Sequence, residues 1–130
     1  AGAGTQTAAV AFGGSIPPNT GATEEYDGSS WTASNAMNTA RSQLSPTQNG
    51  TQSAVFAMGG SPGTATFVEN YDGTSWSTRP SLANGRRLAG GFATTSDAVL
   101  AGGYTSTNLN TTEEFTAETT AINVKTLTQS

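Results

Sequence analysis

The chain has 130 residues, a formal charge of −4, and neither cysteine nor histidine. Those absences exclude a disulfide framework, most zinc, copper and haem ligation, and every Ser-His or Cys-His nucleophilic pair. Only five residues are basic (Arg41, Arg79, Arg86, Arg87 and Lys125), too few for the cationic stripe that phosphate backbones demand, and no apolar run is long enough to span a bilayer. Neither nucleic-acid binding nor membrane insertion is therefore expected.

The chain starts Ala1-Gly2-Ala3-Gly4, without an initiator Met and inside a repeat, so more chain is expected upstream. Gly4 to Gly14 then forms a small-residue apolar run closed by Gly13-Gly14. Its shortness, its Val and Phe content and the closing glycines predict a strand. A polar loop with Pro17-Pro18 follows, from Ser15 to Gly21. Thr23 to Tyr26 is the next strand, Asp27-Gly28 a turn of the type I′ kind, and Ser30 onward the return strand carrying Trp31. Arg41 opens a further segment that runs through Asn49-Gly50, a second hairpin signal, into another small-residue run.

From there the pattern restarts. Gly50 to Gly60 matches Gly4 to Gly14 and closes with Gly59-Gly60. The loop Ser61 to Thr64 precedes Tyr71-Asp72-Gly73 and Trp76, and Arg86, followed by Arg87, opens the next segment. The third copy has Gly102-Gly103, the loop Thr105 to Asn110, and Thr112-Glu113-Glu114-Phe115, but it has lost both the Asp and the Trp. Its turn, Thr116 to Thr119, is expected to be looser, and Ala121 to Thr126 alternates as a half-buried strand, with Ile122 and Val124 on one side. Tyr26, Tyr71 and Phe115 are 45 and 44 residues apart, a period that means one small unit copied in tandem. The Gly, Ser and Thr load rules out helical repeats of that length.

Four short strands per period is the content of one blade of a β-propeller. The fold class expected is therefore all-β, a propeller of four-stranded blades with about three blades in this chain. The units divide as 1–48 (the first blade from its second strand, plus the inner strand of the second), 49–94 (the rest of the second blade plus the inner strand of the third) and 95–130 (the rest of the third, ending in an outer strand). The first blade then lacks its inner strand, unless Ala1 to Thr5 supplies a stub. Closed propellers have about four to eight blades, so closure requires a second copy of the chain, further blades of a longer chain, or docking on other subunits.

These residues resemble kelch repeats. The resemblance rests on Gly13-Gly14, Gly59-Gly60 and Gly102-Gly103 closing a strand, on Tyr26-Asp27 and Tyr71-Asp72, on Trp31 and Trp76 after the turn, and on Arg41 and Arg86 before the next strand. The interval from Tyr-Asp to Trp is shorter than kelch repeats usually have. Thr-Glu-Glu-Tyr-Asp-Gly-Ser-Ser-Trp, with Gly-Thr-Gln-Thr-Ala-Ala, is similar to repeat proteins in virions of marine tailed phages, which are tail-fibre and other structural proteins. The resemblance implies a virion or extracellular location and a recognition or architectural role.

Three candidate sites arise. Arg41, Arg86 and Arg87 could hold an anionic sugar or carboxylate by bidentate contact, or pair with strand-end glutamates; Arg87 stands out because its counterpart is Ser42. The aromatics Tyr26, Tyr71, Phe115, Trp31 and Trp76 could stack on sugars, but residues repeated in every copy are expected to fill the wedge between neighbouring blades. Seven acidic residues (Glu24, Glu25, Asp27, Glu69, Asp72, Glu113 and Glu114) could supply a glycosidase pair, yet they recur at equivalent places, where ion pairing and turn capping are expected instead. No catalytic residue, metal ligand or cofactor is assigned. The function expected is non-enzymatic recognition of a host glycan or another virion protein through the variable loops. A propeller glycan hydrolase or lyase and a pure architectural spacer are the alternatives.

Overall fold

The computed structural model describes residues 1–93, 97–115 and 123–126. Among these, the chain forms twelve strands and no helix: β1 Gly2–Thr5, β2 Ala8–Ser15, β3 Asn19–Tyr26, β4 Trp31–Ser34, β5 Ser45–Pro46, β6 Val55–Met58, β7 Val68–Tyr71, β8 Trp76–Arg79, β9 Gly90–Ala93, β10 Ala98–Ala101, β11 Thr111–Phe115 and β12 Asn123–Thr126. They build three four-stranded antiparallel sheets, β1-β2-β3-β4, β5-β6-β7-β8 and β9-β10-β11-β12, each a meander in chain order. The arrangement is all-β and propeller-like. The first strands of the second and third sheets run side by side, with Thr47 bridging Gly91 in parallel and the Gln48 N–H donating to the Gly91 carbonyl at 2.8 Å.

The sheets stack because alternate residues of a strand point to opposite faces. In the middle sheet both faces are covered, and Val55–Met58 is buried at every position. Val55 and Ala57, with Tyr71 and Trp76, meet Val10 and Phe12 of the first sheet. Phe56 and Met58 meet Ala93, Ala98 and Leu100 of the third. Of the repeated aromatics, those of the middle sheet wedge against the first sheet: Tyr71 is fully buried, and the Trp76 ring packs edge-on to Phe12 with centroids 4.9 Å apart, whereas Trp31 is 52% exposed. Burying a side chain of this size is worth about 1.5–3 kcal/mol.

Three expectations are corrected. The first sheet does not begin at its second strand; the stub exists as β1, which pairs with β2 from Gly2↔Ala11 to Thr5↔Ala8. The Asp-Gly turns are four-residue loops, not two-residue type I′ turns. Tyr26 pairs with Trp31, and Asp27 Oδ1 accepts the N–H groups of Ser29 and Ser30, both at 2.8 Å. That side-chain capping puts Asp27 at the start of the loop and leaves the positive φ to Gly28 alone, at 97°. Asp72 caps Thr74 and Ser75 in the same way. Finally, Arg41 and Arg86 do not open strands, since β5 and β9 begin four residues later. The Thr116 to Thr119 turn and Ile122 lie outside the described residues, and Val124 falls in β12.

Candidate functional site

The repeated arginines are sealed inside the molecule. Arg41, 0% exposed, sits in the linker between the first and second sheets and reaches into the second. Its Nη1 donates to the Gly59 carbonyl at 2.5 Å and the Phe67 carbonyl at 2.9 Å, and its Nη2 to Glu69 Oε1 at 2.9 Å. Glu69, 2% exposed, also accepts the Asn38 and Thr39 N–H groups, so it ties the linker to β7. Burial pushes the Arg41 pKa below the ordinary arginine value, and the Glu69 charge opposes that shift. One repeat on, Arg86 binds the Gly102 and Thr111 carbonyls and Glu113, which holds the Ala83 and Asn84 N–H groups. The two ion pairs are 2.9 and 2.6 Å long. The assignment of Arg41 and Arg86 to a ligand site is corrected accordingly: a guanidinium with no exposed surface and a buried carboxylate partner has nothing to offer a ligand.

The double glycines explain how these linkers approach so closely. Gly14 N–H donates to the Arg41 carbonyl at 3.0 Å, and Gly60 N–H to the Arg86 carbonyl at 2.9 Å. A Cβ on Gly13 would lie 2.6 Å from the Arg41 carbonyl oxygen, and one on Gly59 would lie 2.0 Å from that of Arg86. Both have φ of 62°. Gly13-Gly14 and Gly59-Gly60 are thus the seats on which the next repeat's arginine linker rests. The second glycine also backs onto its own repeat's linker: a Cβ on Gly60 would lie 2.6 Å from the Ser42 carbonyl oxygen, and one on Gly103 3.0 Å from that of Arg87.

Arg87 differs from the other two arginines. It lies half-buried at the surface, where its guanidinium covers the Tyr104 ring at 5.3 Å and its Nη1 donates to Gln43 Oε1 at 3.0 Å. Backbone bonds in both directions, 3.1 and 2.9 Å, fasten Arg87 to Tyr104. In the preceding repeat Ser42 and Ser61 make the same backbone pair at 3.0 and 2.8 Å. The scaffold is common to both repeats, and the side chains projecting from it are not. Arg87, Gly63, Thr64, Thr105 and Ser106 line an open cleft of about 370 Å³.

This cleft lies where the variable loops meet. Asn19 Nδ2 donates to the Ser61 carbonyl at 2.9 Å, linking the first loop to the second, and Thr64 and Thr105 bring the second and third to Arg87. The cleft therefore combines a cation with hydroxyl groups, and the guanidinium on its wall lies over the Tyr104 ring. Such a set can hold a carboxylate by charge-assisted hydrogen bonds and a sugar by its hydroxyls. Tyr104 and Gln43 were not singled out from the sequence. For Tyr104 the signal was present: it follows Gly-Gly where the other copies have Ser15 and Ser61.

The aromatics of the first sheet contrast with those of the second. Tyr26 and Trp31 stack at 5.1 Å and 35°, as Tyr71 and Trp76 do, yet Trp31 is 52% exposed where Trp76 is 7% exposed. Phe115 ends β11 in the equivalent position.

No protein-family model and no curated protein matches this sequence. Among solved structures, that of YjhT superposes with a TM-score of 0.72 over 95% of this chain at 13% identity, a likeness of fold. The chain spans 44% of the length of YjhT.

Proposed function

We propose that this chain is a kelch-like propeller segment that recognises, without chemical turnover, a carboxylate-bearing glycan at the end of the sheets where the variable loops gather. The single observation carrying this reading is the Arg87 cleft: Arg87 lines it where the preceding repeat has Ser42, and its guanidinium is backed by Tyr104, which stands where the other copies have Ser15 and Ser61. Arg87, held over the Tyr104 ring, supplies the charge, and Thr64, Thr105 and Ser106 the hydroxyl partners. The kelch assignment rests on Gly-Gly, Tyr-Asp, Trp and Arg recurring in order. The setting, a virion fibre or capsid appendage facing a host surface, rests on the resemblance of Thr-Glu-Glu-Tyr-Asp-Gly-Ser-Ser-Trp to marine phage repeats. Display of many copies on one particle would multiply a weak contact through effective concentration.

A panel of neutral and acidic glycans, scored for both retention and product, tests the reading. Retention of acidic members by the unaltered chain and its loss in Arg87→Ala, with no product released, is the expected result. Product formation, or retention that Arg87→Ala leaves intact, overturns it.

A further inference from the structure

The contact between the first and second sheets contains a recognition code that the two outer sheets repeat. Across that contact Trp76 Nε1 donates to Thr23 Oγ1 at 2.9 Å. The Tyr71 hydroxyl meets the Glu25 carboxylate and shares a 2.5 Å hydrogen bond with Ser34. A sheet carrying Thr and Glu at these places thus receives a sheet carrying Tyr and Trp. The second sheet presents Val68 and Asn70 instead, and it faces a third repeat with Phe115 and no tryptophan. Where the incoming partner has neither hydroxyl nor indole, the receiving face has lost the groups that would bond them.

The third sheet restores the first pair. Thr112 stands in the place of Thr23 and Glu114 in that of Glu25. Glu114 pairs across the strands with Val99, and Val99 with Phe92, so the three share one face. Phe92 is 52% and Val99 38% exposed, although Phe56, the counterpart of Val99, is 2% exposed under the third sheet. This face has the apolar ground of an inter-sheet contact and the polar pair that receives Tyr and Trp. At the opposite end of the chain Tyr26 and Trp31 are already stacked in the geometry of Tyr71 and Trp76, with Trp31 open to solvent.

We propose that two copies of this chain close head to tail, the Phe92–Val99–Thr112–Glu114 face of each receiving Tyr26 and Trp31 of the other. Both interfaces of the pair repeat the internal contact between the first and second sheets. Carboxylate and hydroxyl oxygens can accept more than one hydrogen bond, as Glu69 does from Asn38, Thr39 and Arg41, so Glu114 and Thr112 can take the phenol and indole in addition to other partners. Six sheets fall inside the range of about four to eight at which propellers close. Two copies would also span most of the length of YjhT, of which one copy spans 44%. The association is independent of the Arg87 cleft, and either reading survives failure of the other.

Light scattering and sedimentation of the 130-residue chain over a dilution series, with iodide quenching of its tryptophans, test the closure. The expected particle has twice the 13.1 kDa chain mass, with both tryptophans shielded at high concentration and Trp31 quenched on dilution. Trp31→Glu and Val99→Lys should each be monomeric and melt close to the wild-type chain diluted to its monomer, because both residues lie on the surface of the single chain. Mixed in equal amounts they should associate, since one interface of the mixed pair is unaltered and the other sets Glu against Lys. A chain that stays monomeric with Trp31 quenched at high concentration overturns the proposal. So does association of either variant alone, which marks a face pairing with itself, or an open series of sizes beyond two copies, which marks a contact that does not close.

Discussion

Removing the Arg41–Glu69 pair one partner at a time should cost far more than the pair is worth. Glu69 accepts three hydrogen bonds, from Asn38 N, Thr39 N and Arg41 Nη2. Glu69→Gln keeps the shape but leaves a guanidinium with no exposed surface and no counter-charge, and Arg41→Met leaves the converse. Breaking a buried ion pair in this way costs about 3–5 kcal/mol, whereas replacing both partners is often near neutral. The double variant should therefore lose less than the sum of the singles, with a coupling of at least about 2 kcal/mol. With a urea m-value of about 1–3 kcal/mol/M, each single variant moves the unfolding midpoint down by about 1 M or more. Glu24→Gln is the control. Glu24 holds the same repeat position but is exposed, so the change should stay within about 0.5 kcal/mol. Additive losses for Arg41 and Glu69, or a Glu24 variant as damaging as the Glu69 one, would refute the buried-pair reasoning.

Gly59→Ala should destabilise strongly, because the added Cβ would lie 2.0 Å from the Arg86 carbonyl oxygen; Gly63→Ala, with a similar φ and open space around it, should lose only about 1–2 kcal/mol in the same urea titration. Trp76→Ala should lose about 3–5 kcal/mol, read by thermal and urea unfolding followed by circular dichroism. The Asp27 carboxyl is held at about 2, first by the Ser30 and then the Ser29 N–H, below its ordinary 3.8. A depressed carboxyl favours the fold above its ordinary value and loses that contribution as pH falls, so the 26–31 loop should loosen between about pH 4 and 2, as followed by carboxyl NMR shifts. Burial first, and then the hydrogen bond to Glu25, raise the Tyr71 phenol above 10.0. Its contribution is whole below pH 10 and lost as pH climbs through the raised value, so an ultraviolet titration should find one phenol ionising together with unfolding.

Much of the fold was legible because the sheets are local. Strand runs closed by glycines, aromatic spacing and turn residues all lie within one repeat, and each sheet is a meander of consecutive strands. The wedge role of Tyr71 and Trp76 followed from recurrence alone. What the sequence did not convey are relations between repeats. Arg41 looked like a strand opener because it precedes β5, but its guanidinium finds its partners 18 to 28 residues on, in a sheet whose distance only the fold sets. Gly13 and Gly59 read as strand ends, and their actual constraint is the carbonyl of the next linker. The turn type was misread because Asp27 satisfies backbone N–H groups with its side chain, a use of Asp that competes with the left-handed geometry it can also adopt.

Agreement and disagreement among the copies carry different information. Arg41 and Arg86, with Glu69 and Glu113, agree and turn out to be internal ties between linker and sheet. Ser42 and Arg87 disagree, as do Ser61 and Tyr104, on a backbone scaffold that is the same in both repeats. A substitution that leaves its scaffold intact and puts a charge into a cleft is not required by the backbone pairing, which supports the proposed ligand-binding role. The Thr-Glu and Val-Asn alternation at 23/25, 68/70 and 112/114 is a third kind of difference. It follows the neighbour rather than the repeat: Glu25 meets a tyrosine hydroxyl, and Asn70 faces a repeat whose aromatic has none. A tandem array with identical contacts would have no reason to vary these positions. The return at Thr112 and Glu114 restores the groups that receive tyrosine and tryptophan at the first contact, and this is the observation on which the proposed head-to-tail pairing with Tyr26 and Trp31 rests.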